Sequence, residues 1–166
     1  MKSRIQEIKN HYKLEQHPEG GWFNECFTSS EDKNNRALAG SIYFLLEKDE
    51  ISHFHKIDCE EIWFYHEGCG MKITVIKDVA KEEFILGKEI TKGQSVMVAI
   101  HKDAIFAAEN LDPGSYTFVS CVTAPKFSYE GFKLIGKSEI RSLYPAASDE
   151  LLVLAYEDNV IGGAHD

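Results

Sequence analysis

No apolar run in the 166 residues approaches the ~20 needed to span a bilayer. The opening decapeptide, MKSRIQEIKN, has no apolar core of the kind a secretory signal carries. The chain also lacks a basic stripe. Its lysines are scattered and its net charge is −9, so it repels phosphate backbones and is a poor candidate for nucleic-acid binding. Its four cysteines, Cys26, Cys59, Cys69 and Cys121, contain no CxxC pair. They read as free thiols rather than a zinc knuckle, in keeping with a reducing compartment. Internal repeats and low-complexity segments are missing too. These absences predict a cytoplasmic protein with neither a membrane nor a nucleic acid as partner.

What is present is globular. Hydrophobic residues make up 43% and charged residues 27%, and a chain of this length buries enough surface to need no disulfide staples. Residues 3–13 read as a short helix, with Ser3 and Gln6 as a capping box and Ile5, Ile8 and Tyr12 at helical spacing. His17-Pro18-Glu19-Gly20-Gly21 then breaks it. About ten short segments follow, rich in aromatic and β-branched residues and separated by turn signals such as Asp112-Pro113-Gly114. Their number and spacing predict an all-β antiparallel sandwich or barrel. A closing helix is expected to start near Pro145 or Ser148 and run through DELLVLAYE, with NVIGGAHD as a tail.

Chemistry concentrates in SHFHKIDCEEIWFYHEG, residues 52–68. Alternation along a strand puts His53, His55 and Ile57 on one face and Ser52, Phe54 and Lys56 on the other. On the next strand Glu61, Trp63 and Tyr65 share a face, with His66 opposite. Two imidazoles two residues apart lie roughly 6–7 Å apart along a strand. With Glu61 beside them they form a candidate metal set, His53, His55 and Glu61, suited to Fe, Mn, Ni or Zn. Isolated HxH pairs in strands are nevertheless common without a metal.

These residues resemble the first cupin motif: His53, His55, Glu61 and Gly68 fill its positions, with one extra residue between His55 and Glu61. HPEGGWFNECFTSS, IYFLLEKDEISHFHKIDCEEIWFYHEG and SYTFVSCVTAPKFSYEGFKL together resemble a domain-of-unknown-function cupin family, similar in shape to sugar-nucleotide epimerases, over roughly residues 14–135. The resemblance implies one cupin domain over 1–166, a double-stranded β-helix or jelly-roll barrel with short N- and C-terminal helices and a pocket at one mouth, and a homodimer. The second cupin motif departs from the family. Gly93 and Asn110 are kept, His101 and Asp103 stand where Pro and Gly belong, and Phe106 occupies the place of the last His ligand. Phe cannot ligate a metal, so any divalent metal is expected to bind weakly. His101 is the one residue nearby that could replace the lost ligand.

The resemblance and the polar cluster lead to a small-molecule-binding cupin. One reading is an isomerase- or epimerase-type enzyme acting on a carbohydrate-like or carbonyl metabolite. The alternative is a non-catalytic metabolite-binding cupin with a degenerate metal site. The candidate catalytic residues are Glu61, His55 and His17, and the candidate ligand-binding residues are Trp63, Tyr65, Phe106 and Glu19. A third reading makes the His–Glu cluster only a satisfied hydrogen-bond network.

Overall fold

Phe44, Leu45 and Leu46 are consecutive in a strand and all fully buried. A strand shows its two faces in alternation, so both faces of this one must be covered. In the computed structural model, which describes residues 3–162, two sheets face each other and helices cover parts of their outer sides. The elements are α1 (Arg4–Tyr12), β1 (Glu15–Gln16), β2 (Trp22–Thr28), β3 (Asp32–Lys33), β4 (Arg36–Ala37), β5 (Gly40–Glu47), β6 (Ile51–Lys56), β7 (Glu60–Gly68), β8 (Met71–Lys77), β9 (Ala80–Leu86), β10 (Met97–Ile100), β11 (Ile105–Asn110), β12 (Tyr116–Ala124), β13 (Lys133–Leu134), α2 (Lys137–Leu143), α3 (Asp149–Leu152) and α4 (Asp158–Gly162).

One sheet runs β1-β2-β5-β12-β7-β10 and the other β13-β6-β11-β8-β9, with β3-β4 as a separate hairpin. Neighbouring strands are antiparallel throughout. This is a jelly roll. Its interior holds Phe44, Leu46, Trp63, Met71, Ile73 and Phe106. Leu45 faces the other way, under α1, with Ile8, Leu14 and Phe118. Phe54, Ile76 and Ile105 point outward from the five-stranded sheet and are sealed by Ile135, Ile140 and Leu152 of the C-terminal segment. Among the described residues no helix is long and apolar enough to cross a membrane.

Ser3 caps α1 by accepting from the Gln6 N–H. The Gln6 side chain turns to Asn10 rather than back to the cap, so half of the expected capping box forms. The closing helix differs more from expectation. DELLVLAYE yields only the single turn α3, capped by Ser148. The chain then leaves the helix, and the Leu154 carbonyl accepts the Phe54 N–H of β6. A tertiary hydrogen bond outweighs helix propensity here. Two further helices, α2 and α4, flank it; α4 takes up Asn159–Gly162 of the expected tail, and residues 163–166 lie outside the described residues.

Candidate functional site

The HPEGG turn presses against β6. Gly20 has φ +108°, and a Cβ there would sit 1.9 Å from the Ile51 carbonyl oxygen, so only glycine permits the approach. The turn delivers the Glu19 side chain, almost fully buried, between two strand residues. Ser52 Oγ donates to Glu19 Oε1 at 2.7 Å, and His55 Nε2 lies 3.0 Å from Glu19 Oε2.

β6 reaches this arrangement through a bulge. Phe106 pairs with His55 but Ala108 pairs with Ser52, so His53 and Phe54 together oppose Ala107. The extra residue breaks the alternation. Ser52 and His55 both turn inward, Phe54 outward, and His53 is displaced. The freed His53 N–H donates to the Glu19 carbonyl at 2.8 Å, and His53 Nδ1–H donates to the same oxygen at 2.8 Å. The His53 ring stacks on Tyr156 at 3.8 Å. The expectation that His53, His55 and Glu61 line one pocket is therefore corrected: His55 and Glu61 do, whereas His53 anchors the backbone of the Glu19 turn from outside.

Tautomers follow from the partners. His55 Nδ1 meets the His53 carbonyl at 2.7 Å, so it carries a proton and donates. One further proton is then shared between His55 Nε2 and Glu19 Oε2. Burial pushes His55 down to about 4 and Glu19 up, so it works in both partners toward the neutral form. His17 Nδ1 accepts the Glu19 N–H at 3.2 Å, which leaves its proton on Nε2. Burial also lowers His17 below the usual histidine value, against the opposing pull of Glu19.

Glu61 reaches the same cavity from β7. The pairing of β7 with β12 sets Glu61 opposite Thr123 and Trp63 opposite Cys121. Burial pushes Glu61 up to about 8, and Glu19, whenever it is ionised, pushes it further in the same direction. The Trp63 indole N–H and the Cys121 thiol are the polar groups that favour its ionised form. Even so, Trp63 Nε1 is buried without a hydrogen-bond partner in reach. Among the described residues Glu61 is thus a buried carboxyl with no cationic partner.

The cavity has a volume of about 260 Å³. Glu19, His55, Glu61 and His17 supply its polar wall, and Phe23, Ile42, Ile57 and Phe127 much of its apolar wall. Trp63, Tyr65 and Phe106, expected as ligand contacts, do not line it. Trp63 and Phe106 are closed into the core beneath, the Phe106 ring 4.2 Å from that of His55. The Tyr65 hydroxyl donates to the Gly68 carbonyl. His101 sits on an exposed turn, bonded to Glu60 at 3.0 Å. The lining residues not foreseen include Ser41, Cys121, Thr123, Lys126 and Tyr129. Cys121 and Thr123 could have been found only by knowing that β12 pairs with β7. Asn110 of the second motif has a structural job, donating to the Leu46 and Lys48 carbonyls.

A metal does not fit this donor set. Both Nδ1 atoms of the HxH pair are engaged with carbonyls, and His55 Nε2 faces Glu19. The ring of Phe106 packs beside His55 and offers no donor atom. Among the described residues no three His, Cys, Asp or Glu side chains converge as a metal site requires.

Residues 6–135 match the family model Cupin_5, cupin superfamily (DUF985). The chain is a cupin of the DUF985 family. This cupin is similar to protein SO0799 from Shewanella oneidensis, whose crystal structure superposes with a TM-score of 0.88 at 27% identity, covering 95% of this chain and 100% of that one. A hypothetical protein from Leishmania major gives a TM-score of 0.86 at 25% identity, covering 93% and 100%. An uncharacterized Saccharomyces cerevisiae protein, YML079W, is 27% identical over 92% of this cupin and 87% of its own length.

Proposed function

We propose that this cupin binds a small carbonyl metabolite in the cavity and catalyses metal-free proton transfer on it, an isomerisation of the aldose–ketose or epimerase type. The observation that carries the reading is the buried Glu61 carboxyl facing the same cavity as the His55–Glu19 pair. Buried ionisable groups are costly and gather where chemistry uses them. A carboxyl held at about 8 is near the pH at which it can both take and return a proton.

In this reading ionised Glu61 removes the proton from the carbon bearing the hydroxyl. The carbonyl oxygen gains a proton from the Glu19–His55 pair, and an enediol forms. The second hydroxyl then returns its proton to the pair, and Glu61 delivers its proton to the neighbouring carbon. One hydrogen moves between carbons and one between oxygens, and the enzyme is restored. His17, with its proton on Nε2, orients the substrate as a donor.

The test is incubation with small hydroxycarbonyl compounds in D2O, followed by proton NMR. Loss of the signal at the carbon next to the carbonyl is expected, rising in rate as pH approaches 8. E61Q is expected to lower the exchange rate by roughly 10²-fold or more, the usual contribution of a positioned acid–base group. Binding without exchange would instead select the non-catalytic binding cupin.

A further inference from the structure

The lining of the cavity is one-sided in its ionisable groups. Among the described residues it contains two buried carboxyl groups, Glu19 and Glu61, a third, Glu25, that is exposed, and no arginine. Lys126, the single ammonium group among the described lining residues, is already engaged: Nζ donates to Glu25 Oε1 at 2.8 Å and to Thr28 Oγ1 at 2.9 Å. Arg36 lies behind the same loop, its guanidinium forked onto Asp58 at 2.9 and 2.8 Å and its Nε donating to the Lys126 carbonyl. Phosphate and carboxylate recognition calls for free guanidinium or ammonium groups, or for a helix N-terminus. Among the described residues the cavity offers none of these. At about 260 Å³ it also lies just under the ~300–1,000 Å³ of sites that hold drug-sized ligands, a size suited to a small metabolite.

What the cavity does offer is neutral hydrogen bonding beside carbon. Glu61, when protonated, presents a donor and an acceptor on adjacent oxygens. His17 keeps a single N–H, because its other nitrogen accepts from Glu19. Phe23, Ile42 and Phe127 flank these groups with apolar surface suited to C–H faces. An adjacent hydroxyl and carbonyl match this pattern.

Resting on the proton-transfer reading above, we propose that the cavity takes an uncharged α-hydroxycarbonyl compound, a short-chain free aldose or ketose, and rejects the phosphorylated, carboxylated and nucleotide-linked forms of the same skeleton. Selection is negative as much as positive: an anion placed here gives up its hydration beside apolar walls and finds no free cation among the described residues.

The experiment is calorimetry and ligand-observed NMR at pH 7 on matched sets. Glyceraldehyde, dihydroxyacetone, ribose and fructose are compared with their own phosphates, and glyceraldehyde and ribose also with glycerate and ribonate. Binding of at least one free compound is expected, with its charged partners at least about 100-fold weaker, the scale set by burying an anion with no cation to pair it. Ile42→Trp, which fills the cavity from an apolar wall, is expected to abolish that binding while leaving the unfolding transition cooperative. E61Q, which keeps a donor beside an acceptor, is expected to hold affinity within about threefold, and Glu61→Leu to lose it. A charged partner binding as tightly as its free compound, no free compound binding, or binding that survives Ile42→Trp overturns the proposal. The two readings fail separately. Free sugars that bind without exchanging carbon-bound hydrogen in D2O sink the enzyme reading and leave this one standing. Phosphates that bind and exchange do the reverse.

Discussion

Phe54 and His55 are neighbours in β6, both essentially inaccessible to water, yet they enter opposite kinds of interior. Phe54 turns outward into an apolar layer closed by Ile135, Ile140 and Leu152. His55 turns inward to a carboxyl group, a bulged backbone and a cavity. The first environment returns free energy in proportion to the area removed from water. The second returns little, because each buried polar group must recover the hydration it lost. One β-bulge separates the two. The layer under the C-terminal helices is where this cupin gains stability, and the cavity is where it gives some of it up.

The largest effect should come from breaking the apolar side. Phe54→Ala removes a fully buried ring and is expected to cost about 3–5 kcal/mol, on the order of 10 °C or more in melting temperature for a chain of this size. Calorimetry checks it. A loss under about 1 kcal/mol would mean that the C-terminal segment packs loosely over the sheet.

Relieving the polar side should do the opposite. Glu61 is held at about 8, above its ordinary 4.5. Below 4.5 both folded and unfolded chains carry the proton, and no stability is lost. Between 4.5 and 8 the unfolded chain ionises while the fold keeps its proton, so stability falls as pH rises and levels off above 8. Glu19, also raised by burial, adds in the same direction. His55 works from the acid side: held at about 4 against an ordinary 6.5, it withdraws stability as pH falls from 6.5 through 4. Stability should therefore peak at mildly acid pH. E61Q should flatten the alkaline limb, gaining about 2–4 kcal/mol at pH 9 and close to nothing at pH 4. Melting curves across pH decide it, and an equal gain at both ends would show that Glu61 is not the group responsible.

A smaller change sharpens the same contrast. Ser52→Ala removes the hydroxyl that donates to Glu19 Oε1. A loss of about 1 kcal/mol is expected at pH 7. The Ser52 bond holds Glu19 lower than burial alone would, so the variant should push the carboxyl further up. The alkaline decline of the wild type should then steepen, which denaturant titrations at pH 6 and 8 would reveal.

The apolar side was the more legible in sequence. The aromatic and β-branched segments with their turn signals, and the HPEGG, IYFLL and EIW blocks, lead to the jelly roll and its family. Ser3 marks the start of α1, and Phe106 in the place of a ligand points away from a complete metal centre. The polar side resisted because it hangs on one inserted residue. Strict alternation assigns Ser52 to the face opposite His55, whereas the bulge puts both against Glu19 and turns His53 out onto Tyr156. Tyr156 lies about a hundred residues downstream, beyond the family blocks, and no local pattern announces it. Glu19 was legible as a site residue, but its place at the centre of the site depends on Gly20 fitting against Ile51.

The smallest expected effect concerns metal, and it bears on why the two interiors differ at all. In a metal-holding barrel the cation would compensate the buried carboxyl groups. Here that compensation comes from a proton, shared by Glu19 and His55, and from the protonation of Glu61. To bind a divalent ion, His55 would have to release Glu19, and His53 would have to leave both the Glu19 carbonyl and the Tyr156 ring. Phe106 would still fill the remaining position with carbon. Addition of Mn, Ni, Zn or Fe(II) in excess to chelator-dialysed protein is therefore expected to move the melting temperature by less than about 1 °C, since only ligands that bind the folded state tightly shift it. A rise of several degrees that is lost in Glu61→Ala but kept in His101→Ala would show that the cavity rearranges around a metal. The proton-based account of its buried carboxyl groups would then fall.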